Sequence, residues 1–147
     1  MFGISQDPIT KNYILVFGYN HFEGFCKICF QTYTNEDRKW CNSCQINYLK
    51  TKFTEWTSGN KQIDDFIQKR QLRINYTDIL FEWIPYSQFN VIKQIGNGDL
   101  ITINLATWRN GPSYYYKGEW MRKSNEKVAL KCFCNSQNIT DELLNEV

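Results

Sequence analysis

The chain has 147 residues, of which 42% are hydrophobic, and a formal net charge of +2. This apolar content excludes disorder throughout, and the length fits one ordinary domain or two small ones. Basic and acidic residues are interspersed, which predicts no nucleic-acid partner and no membrane-surface partner. No apolar run approaches the ~20 residues of a spanning helix, and no secretory signal is visible. We therefore expect an intracellular, cytoplasmic protein.

The first 24 residues form a leader to which the sequence assigns no function. A β-prone run, Tyr13-Ile14-Leu15-Val16-Phe17, lies among three glycines at positions 3, 18 and 24. This pattern predicts one strand in an otherwise irregular segment.

Four cysteines carry the clearest chemical signal in the chain. Cys26, Cys29, Cys41 and Cys44 have the spacing C-x2-C-x11-C-x2-C. Each C-x2-C can place two thiolates on one turn, and two such turns can form a tetrahedral sulfur cage for Zn²⁺. Because an intracellular compartment keeps thiols reduced, we predict a closed, structural zinc site. Free thiols, a disulfide formed in air and an iron-containing cage are the alternatives.

Neighbouring residues fit a charged cage. Four thiolates around Zn²⁺ leave a net charge of about −2, which Lys27, Arg38 and Lys39 can partly offset. We expect Trp40 to shield the cage. The remaining cysteines, Cys132 and Cys134, lack complementary ligands and are predicted to be buried, apolar thiols outside the site.

Residues 25–75 are predicted to be a zinc knuckle followed by two helices. Apolar residues recur at helical spacing after Cys44, at Ile46, Leu49, Phe53 and Trp56. The polar sequence at 57–60 interrupts this pattern. A second amphipathic helix then places apolar residues on one side, namely Ile63, Phe66, Ile67 and Leu72.

The second half of the chain is predicted to be a sheet with one helix. A connector spans 76–88 and contains Pro85, which stops the preceding apolar segment. Strands are expected near 89–95, 102–108 and 127–133, with a capped helix from about Thr140. Residues 109–120 are interpreted as an extended hairpin tip. The fold class is therefore α+β, with an antiparallel sheet.

A glycine pair and a strand lysine suggest a known family. Gly96 and Gly98 lie between the first two predicted strands, and such a pair alone is more often a turn than a phosphate loop. Downstream, Val128-Ala129-Leu130-Lys131 lies on a strand that precedes a helix with Glu146. Together these features resemble the N-terminal lobe of protein kinases, in which a strand lysine pairs with a helix glutamate and with ATP phosphates.

Three further segments are similar to a fungal protein kinase-like family with a cysteine knuckle ahead of the kinase domain: Trp56-Thr57-Ser58-Gly59-Asn60, Glu82-Trp83-Ile84-Pro85-Tyr86 and Lys123-Ser124-Asn125-Glu126-Lys127. The resemblance covers roughly residues 25–147 and implies that residues 89–147 are a partial, truncated kinase N-lobe. It implies an ATP site with the phosphate loop at Gly96 and Gly98. The adenine contacts would be Ile95, Ile103 and Ala129, and the ion pair would be Lys131 with Glu146.

The sequence departs from an active kinase in several places. Asp99 and Ile101 differ from the family's glycine loop, which lowers the expected ATP affinity. No His-Arg-Asp or Asp-Phe-Gly segment occurs, and the only histidine is His21. We therefore expect a truncated kinase-like protein, a pseudokinase or fragment, that is inactive alone. The alternative is a zinc-knuckle module that binds a protein partner and uses the lobe as a scaffold.

Overall fold

The computed structural model describes residues 1–133, which form an α+β protein with two helices and antiparallel sheets. The predicted fold class is confirmed at this level. The elements in chain order are β1 (Gly3–Gln6), β2 (Tyr13–Val16), α1 (Asn42–Lys52), α2 (Lys61–Gln71), a 3₁₀ turn (Tyr86–Gln88), β3 (Phe89–Asn97), β4 (Ile101–Trp108), β5 (Ser113–Tyr116), β6 (Glu119–Arg122) and β7 (Glu126–Phe133). The helix expected from Thr140, with Glu146, lies outside the described residues.

The chain divides into two compact units. The first contains Met1–Asp78 together with Tyr115–Glu119, and the second contains Ile79–Tyr114 and the chain from Trp120 onward. The division after Asp78 falls inside the segment interpreted as a connector. In residues 1–133, neither helix is long and apolar enough to cross a bilayer.

The leader is a β-hairpin in the first unit. Strands β1 and β2 pair antiparallel, with Gly3 opposite Val16 and Gln6 opposite Tyr13. The Asp7 carboxylate accepts backbone hydrogen bonds from Ile9 and Thr10, which closes the turn and lowers the pKa of Asp7. The expectation of a single strand was therefore wrong, because β1 has no run of β-branched or aromatic residues to reveal it.

Helix α1 begins within the second cysteine pair. Cys41 is its N-cap residue, and the helix ends at Lys52, so Phe53 and Trp56 lie beyond it. The prediction that both belong to this helix was wrong. Ile46 is half-buried and Leu49 is buried. The N-cap residue provides no side-chain cap, and the first turn contains no acidic residue. The local sequence therefore does little to stabilise the N-terminus of the helix.

Helix α2, in contrast, has a conventional start. The Asn60 side chain accepts hydrogen bonds from the backbone N–H groups of Gln62 and Ile63. Ile67 is buried, as predicted, but Leu72 is the C-cap residue and is 37% exposed. The apolar face of the helix therefore does not include Leu72, because the helix ends at Gln71.

Strands β3, β4 and β7 form an antiparallel sheet in the second unit, in that order. The three strands expected from the sequence are present, each within two residues of its predicted ends. Trp108 and Ala106 of β4 are buried on one face. Two irregularities interrupt the pairing of β3 with β4, at Ile92 and Ile95, and let β3 expose apolar side chains.

Residues 109–120, which the sequence predicts as an extended hairpin tip, lie between the paired strands β4 and β7 in the chain and carry strand structure of their own. They contain β5 and the first residues of β6, which form a separate two-stranded sheet. Pairing at β5 starts after Gly111, whose φ is +66 and whose Cα faces the Lys123 backbone. Arg122 donates to Glu82 and to the Gly111 carbonyl. Gly111 is thus enclosed by chain that is distant in sequence.

We predict that Gly111→Ala lowers the free energy of unfolding by about 2–4 kcal/mol, because the new methyl group would overlap the Lys123 carbonyl oxygen and the backbone has positive φ. Gly59→Ala is the control. Gly59 also has positive φ but an open environment, and its loss should be about 1 kcal/mol. Urea unfolding measures both. Equal losses would show that the close approach at Gly111 is incorrect.

Candidate metal centre

The four cysteines of the motif converge on one point. Their sulfur atoms all lie within 4.8 Å of one another. The Sγ atoms of Cys26 and Cys44 are 3.7 Å apart, and those of Cys29 and Cys41 are 3.6 Å apart. A disulfide needs a separation of about 2.05 Å, whereas tetrahedral coordination with metal–sulfur bonds of ~2.3 Å places sulfurs roughly 3.8 Å apart. The arrangement therefore fits a metal ion and not a disulfide.

Two short hairpins bring the thiols together. In the first, Phe25 pairs with Thr32 across a turn that carries Cys26 and Cys29. In the second, Asn35 pairs with Trp40 and delivers the chain directly to Cys41. Cys26 also donates its N–H to Gln31 and accepts from Phe30. Backbone hydrogen bonds therefore stabilise the turn that carries Cys26 and Cys29, and this turn needs only a few residues to hold the two thiols in place.

The second cysteine pair opens helix α1. Cys41 is the N-cap residue and Cys44 lies in the first turn, so both sulfurs are near the positive end of the helix dipole. The first helical N–H, that of Asn42, donates to the Thr34 hydroxyl. A cluster of thiolates at this end can stabilise a helix that lacks an acidic first turn.

Ionisation of the four thiols depends on their unequal surroundings. Burial would raise the pKa of Cys26, but backbone N–H groups of Cys29 and Ile28 lower it to about 7. Burial raises the pKa of Cys41 and of Cys44, and hydrogen bonds among the thiols raise that of Cys44 further. Four adjacent thiolates would repel one another without a cation. A metal ion held by the four cysteines would supply the charge that lets all four ionise.

A buried tyrosine packs beside the second cysteine pair. Trp40 is fully buried, and its ring meets the Tyr115 ring edge-on at 4.9 Å. The Tyr115 hydroxyl accepts from the Gln45 side chain and donates to the Lys39 carbonyl. Burial raises the pKa of Tyr115 to about 12. Gln45 and Tyr115 were not identified from the sequence, because no local pattern joins residues 70 positions apart.

Most of the residues implied by the kinase resemblance lie on the sheet of the second unit. Gly96 of β3 is opposite Ile103 of β4, which is opposite Lys131 of β7. Because directly opposed residues share a face, these three positions form one row. Ala129 is exposed, two residues from Lys131 on the same face, and Ile95 is 53% exposed. Glu146 lies outside the described residues.

The space around Gly96 and Gly98 does not require glycine at either position. A Cβ at Gly96 would meet Ile103 at 3.4 Å, and one at Gly98 would meet the Ile101 carbonyl oxygen at 3.5 Å. Both distances are ordinary contacts, and neither residue has positive φ. The Gly98 N–H donates to Ile101, so it closes a turn. Cys132 is exposed on β7, and the expectation that it is buried was wrong.

Comparison with protein-family models, with curated proteins and with solved structures returns no match to this chain. The cysteine cluster is therefore interpreted from its geometry alone.

Tyr115→Phe should lower the free energy of unfolding of the metal-loaded protein by about 1–2 kcal/mol, because it removes both hydrogen bonds of a buried hydroxyl. Tyr116→Phe, one residue further along β5 and 41% exposed, is the matched control and should cost no more than about 0.5 kcal/mol. Denaturant unfolding followed by tryptophan fluorescence compares them. Indistinguishable variants would contradict the placement of Tyr115.

Proposed function

We propose that the chain is a zinc-stabilised protein-interaction module. The observation that carries this proposal is the set of four sulfurs at separations suited to one tetrahedral ion. Four protein ligands leave no open position for a substrate or a reactive water, which favours a structural over a catalytic role. Zinc is preferred because it adopts tetrahedral thiolate coordination without redox chemistry.

Exposed apolar residues on the first knuckle support a protein partner. Ile28 is 75% exposed and Phe30 is 70% exposed, on either side of the exposed Cys29. Phe30 also has a φ of 58, a backbone conformation that is costly for a bulky side chain. Neither side chain contributes a buried surface to the fold. Contact with another protein would give both residues a role.

Two variants separate the metal from the surface. Cys26→Ser removes one ligand, and we expect zinc content to fall and partner capture to be lost. Ile28→Asp should retain about one zinc per chain, measured by elemental analysis. It should nevertheless fail to capture the protein partner that the unmodified chain captures, because a charged side chain replaces an apolar contact. Unchanged zinc content in Cys26→Ser would contradict the metal site. Unchanged capture by Ile28→Asp would contradict the proposed surface.

Nucleotide binding by the sheet of the second unit is the second candidate function, and it follows the resemblance to a kinase N-lobe. The row formed by Gly96, Ile103 and Lys131 supports it, since a lysine beside a glycine-containing hairpin can approach a polyphosphate. This candidate does not include phosphoryl transfer, for which the sequence has no catalytic or magnesium-binding loop.

For this candidate, Mg-ATP should raise the thermal midpoint of the full chain, and Lys131→Ala should abolish the increase because the phosphate contact is lost. Lys127→Ala is the matched control, since Lys127 lies on the same face of β7 and is also exposed. Its response to Mg-ATP should equal that of the unmodified chain. No increase in any of the three proteins would rule out nucleotide binding.

A further inference from the structure

Two basic side chains lie close to one exposed tyrosine in the first unit. The guanidinium carbon of Arg38 lies 5.3 Å from the centroid of the Tyr116 ring, and the Lys117 ammonium lies 5.4 Å from it. Lys39 follows Arg38 in the chain, and its backbone carbonyl oxygen accepts the hydrogen bond of Tyr115, the residue before Tyr116. We call Arg38, Lys39, Tyr116 and Lys117 the basic cluster. Two cations on one ring concentrate positive charge in a small area.

No carboxylate of residues 1–133 forms a contact ion pair with this cluster. Glu36, Asp37 and Glu119 are close in sequence and exposed, yet among residues 1–133 the ion pairs all involve other basic residues: Lys52, Lys61, Arg122 and Lys123. The charge of a loaded thiolate cage can offset part of the cluster. Lys117 is carried by the β5–β6 turn, however, and not by the cysteine motif.

Two lysines of the basic cluster have an unusual backbone conformation. Lys39 has a φ of 53 and Lys117 a φ of 47, in the left-handed region that favours glycine and asparagine. Lys117 and Gly118 connect β5 to β6, both with positive φ, as a two-residue turn of type I′ requires. Asparagine would suit position 117 better than lysine. The turn geometry therefore does not require a lysine, whose ammonium group lies against the Tyr116 ring.

We propose that the basic cluster binds the phosphate group of a phosphorylated segment in a protein partner. A phosphate monoester offers about two negative charges and three acceptor oxygens, which match the guanidinium fork of Arg38 and the ammonium group of Lys117. The cluster is compact, whereas a nucleic acid would require cations repeated along its backbone. The inference deepens the proposed interaction function and rests on it, because the cysteine site orders the segment that carries Arg38 and Lys39.

The test uses the zinc-loaded full chain and a resin that carries short peptides of randomised sequence with a central phosphoserine. The same peptides with serine form the reference resin. We expect about tenfold greater retention on the phosphoserine resin. Lys117→Asn should reduce that ratio about fivefold or more while its thermal midpoint stays equal or rises, because asparagine favours the turn.

Lys11→Asn is the matched control. Lys11 is also an exposed lysine with positive φ, 62, but it lies in the β1–β2 turn outside the cluster. Its retention ratio should equal that of the unmodified chain. A drop equal to that of Lys117→Asn would show a general charge effect and overturn the site.

Three further outcomes would overturn the proposal. Equal retention on the two resins is the first, and displacement by a single-stranded oligonucleotide at lower concentrations than by the phosphopeptides is the second. The third is a loss of zinc in Arg38→Gln without any phosphate preference in the unmodified chain, which would make the cluster a counter-charge for the cage. Zinc content is measured on every sample. Absence of zinc contradicts the proposed function, whereas zinc without phosphate preference contradicts only this inference.

Discussion

The first unit depends on two C-x2-C turns reaching the same point. Few of its large side chains are buried, and many apolar residues of its leader and first knuckle are exposed. A segment of this kind cannot repay the entropy of ordering from apolar burial alone. Metal–thiolate bonds would provide an alternative source of folding free energy where the sulfurs converge. On the proposed function, Cys26, Cys29, Cys41 and Cys44 take the place of a hydrophobic core in this region.

The consequences extend from the cysteines to neighbouring elements. Helix α1 follows its N-cap residue Cys41 without a side-chain cap from that residue, and thiolates formed there on metal binding would place negative charge at its positive end. Trp40, next to Cys41, is fully buried and meets Tyr115 from β5. The residues that follow Tyr115 carry the basic cluster. The same constraint thus orders a helix start, a buried aromatic pair and a charged surface.

The sequence predicted best what depends on local spacing. The C-x2-C pairs identified the thiols that meet, because a turn of four residues determines where two sulfurs point. The strands β3, β4 and β7 followed from short apolar segments bounded by turn residues. The contact of Gln45 with Tyr115 could not be predicted, because it joins residues far apart in the chain. Strand β1 was missed because hairpin pairing and not composition defines it, and the hairpin-tip prediction for residues 109–120 did not separate the β5–β6 sheet from β4 and β7. The kinase resemblance concerns Gly96, Lys131 and their row, and it stays a prediction.

X-ray absorption at the zinc edge of the purified full chain measures the ligands directly. We predict one zinc per chain surrounded by four sulfurs at about 2.3 Å, without nitrogen or oxygen in the coordination shell. A shell with oxygen or nitrogen ligands, or with fewer than four sulfurs, would contradict a closed site built from the four cysteines.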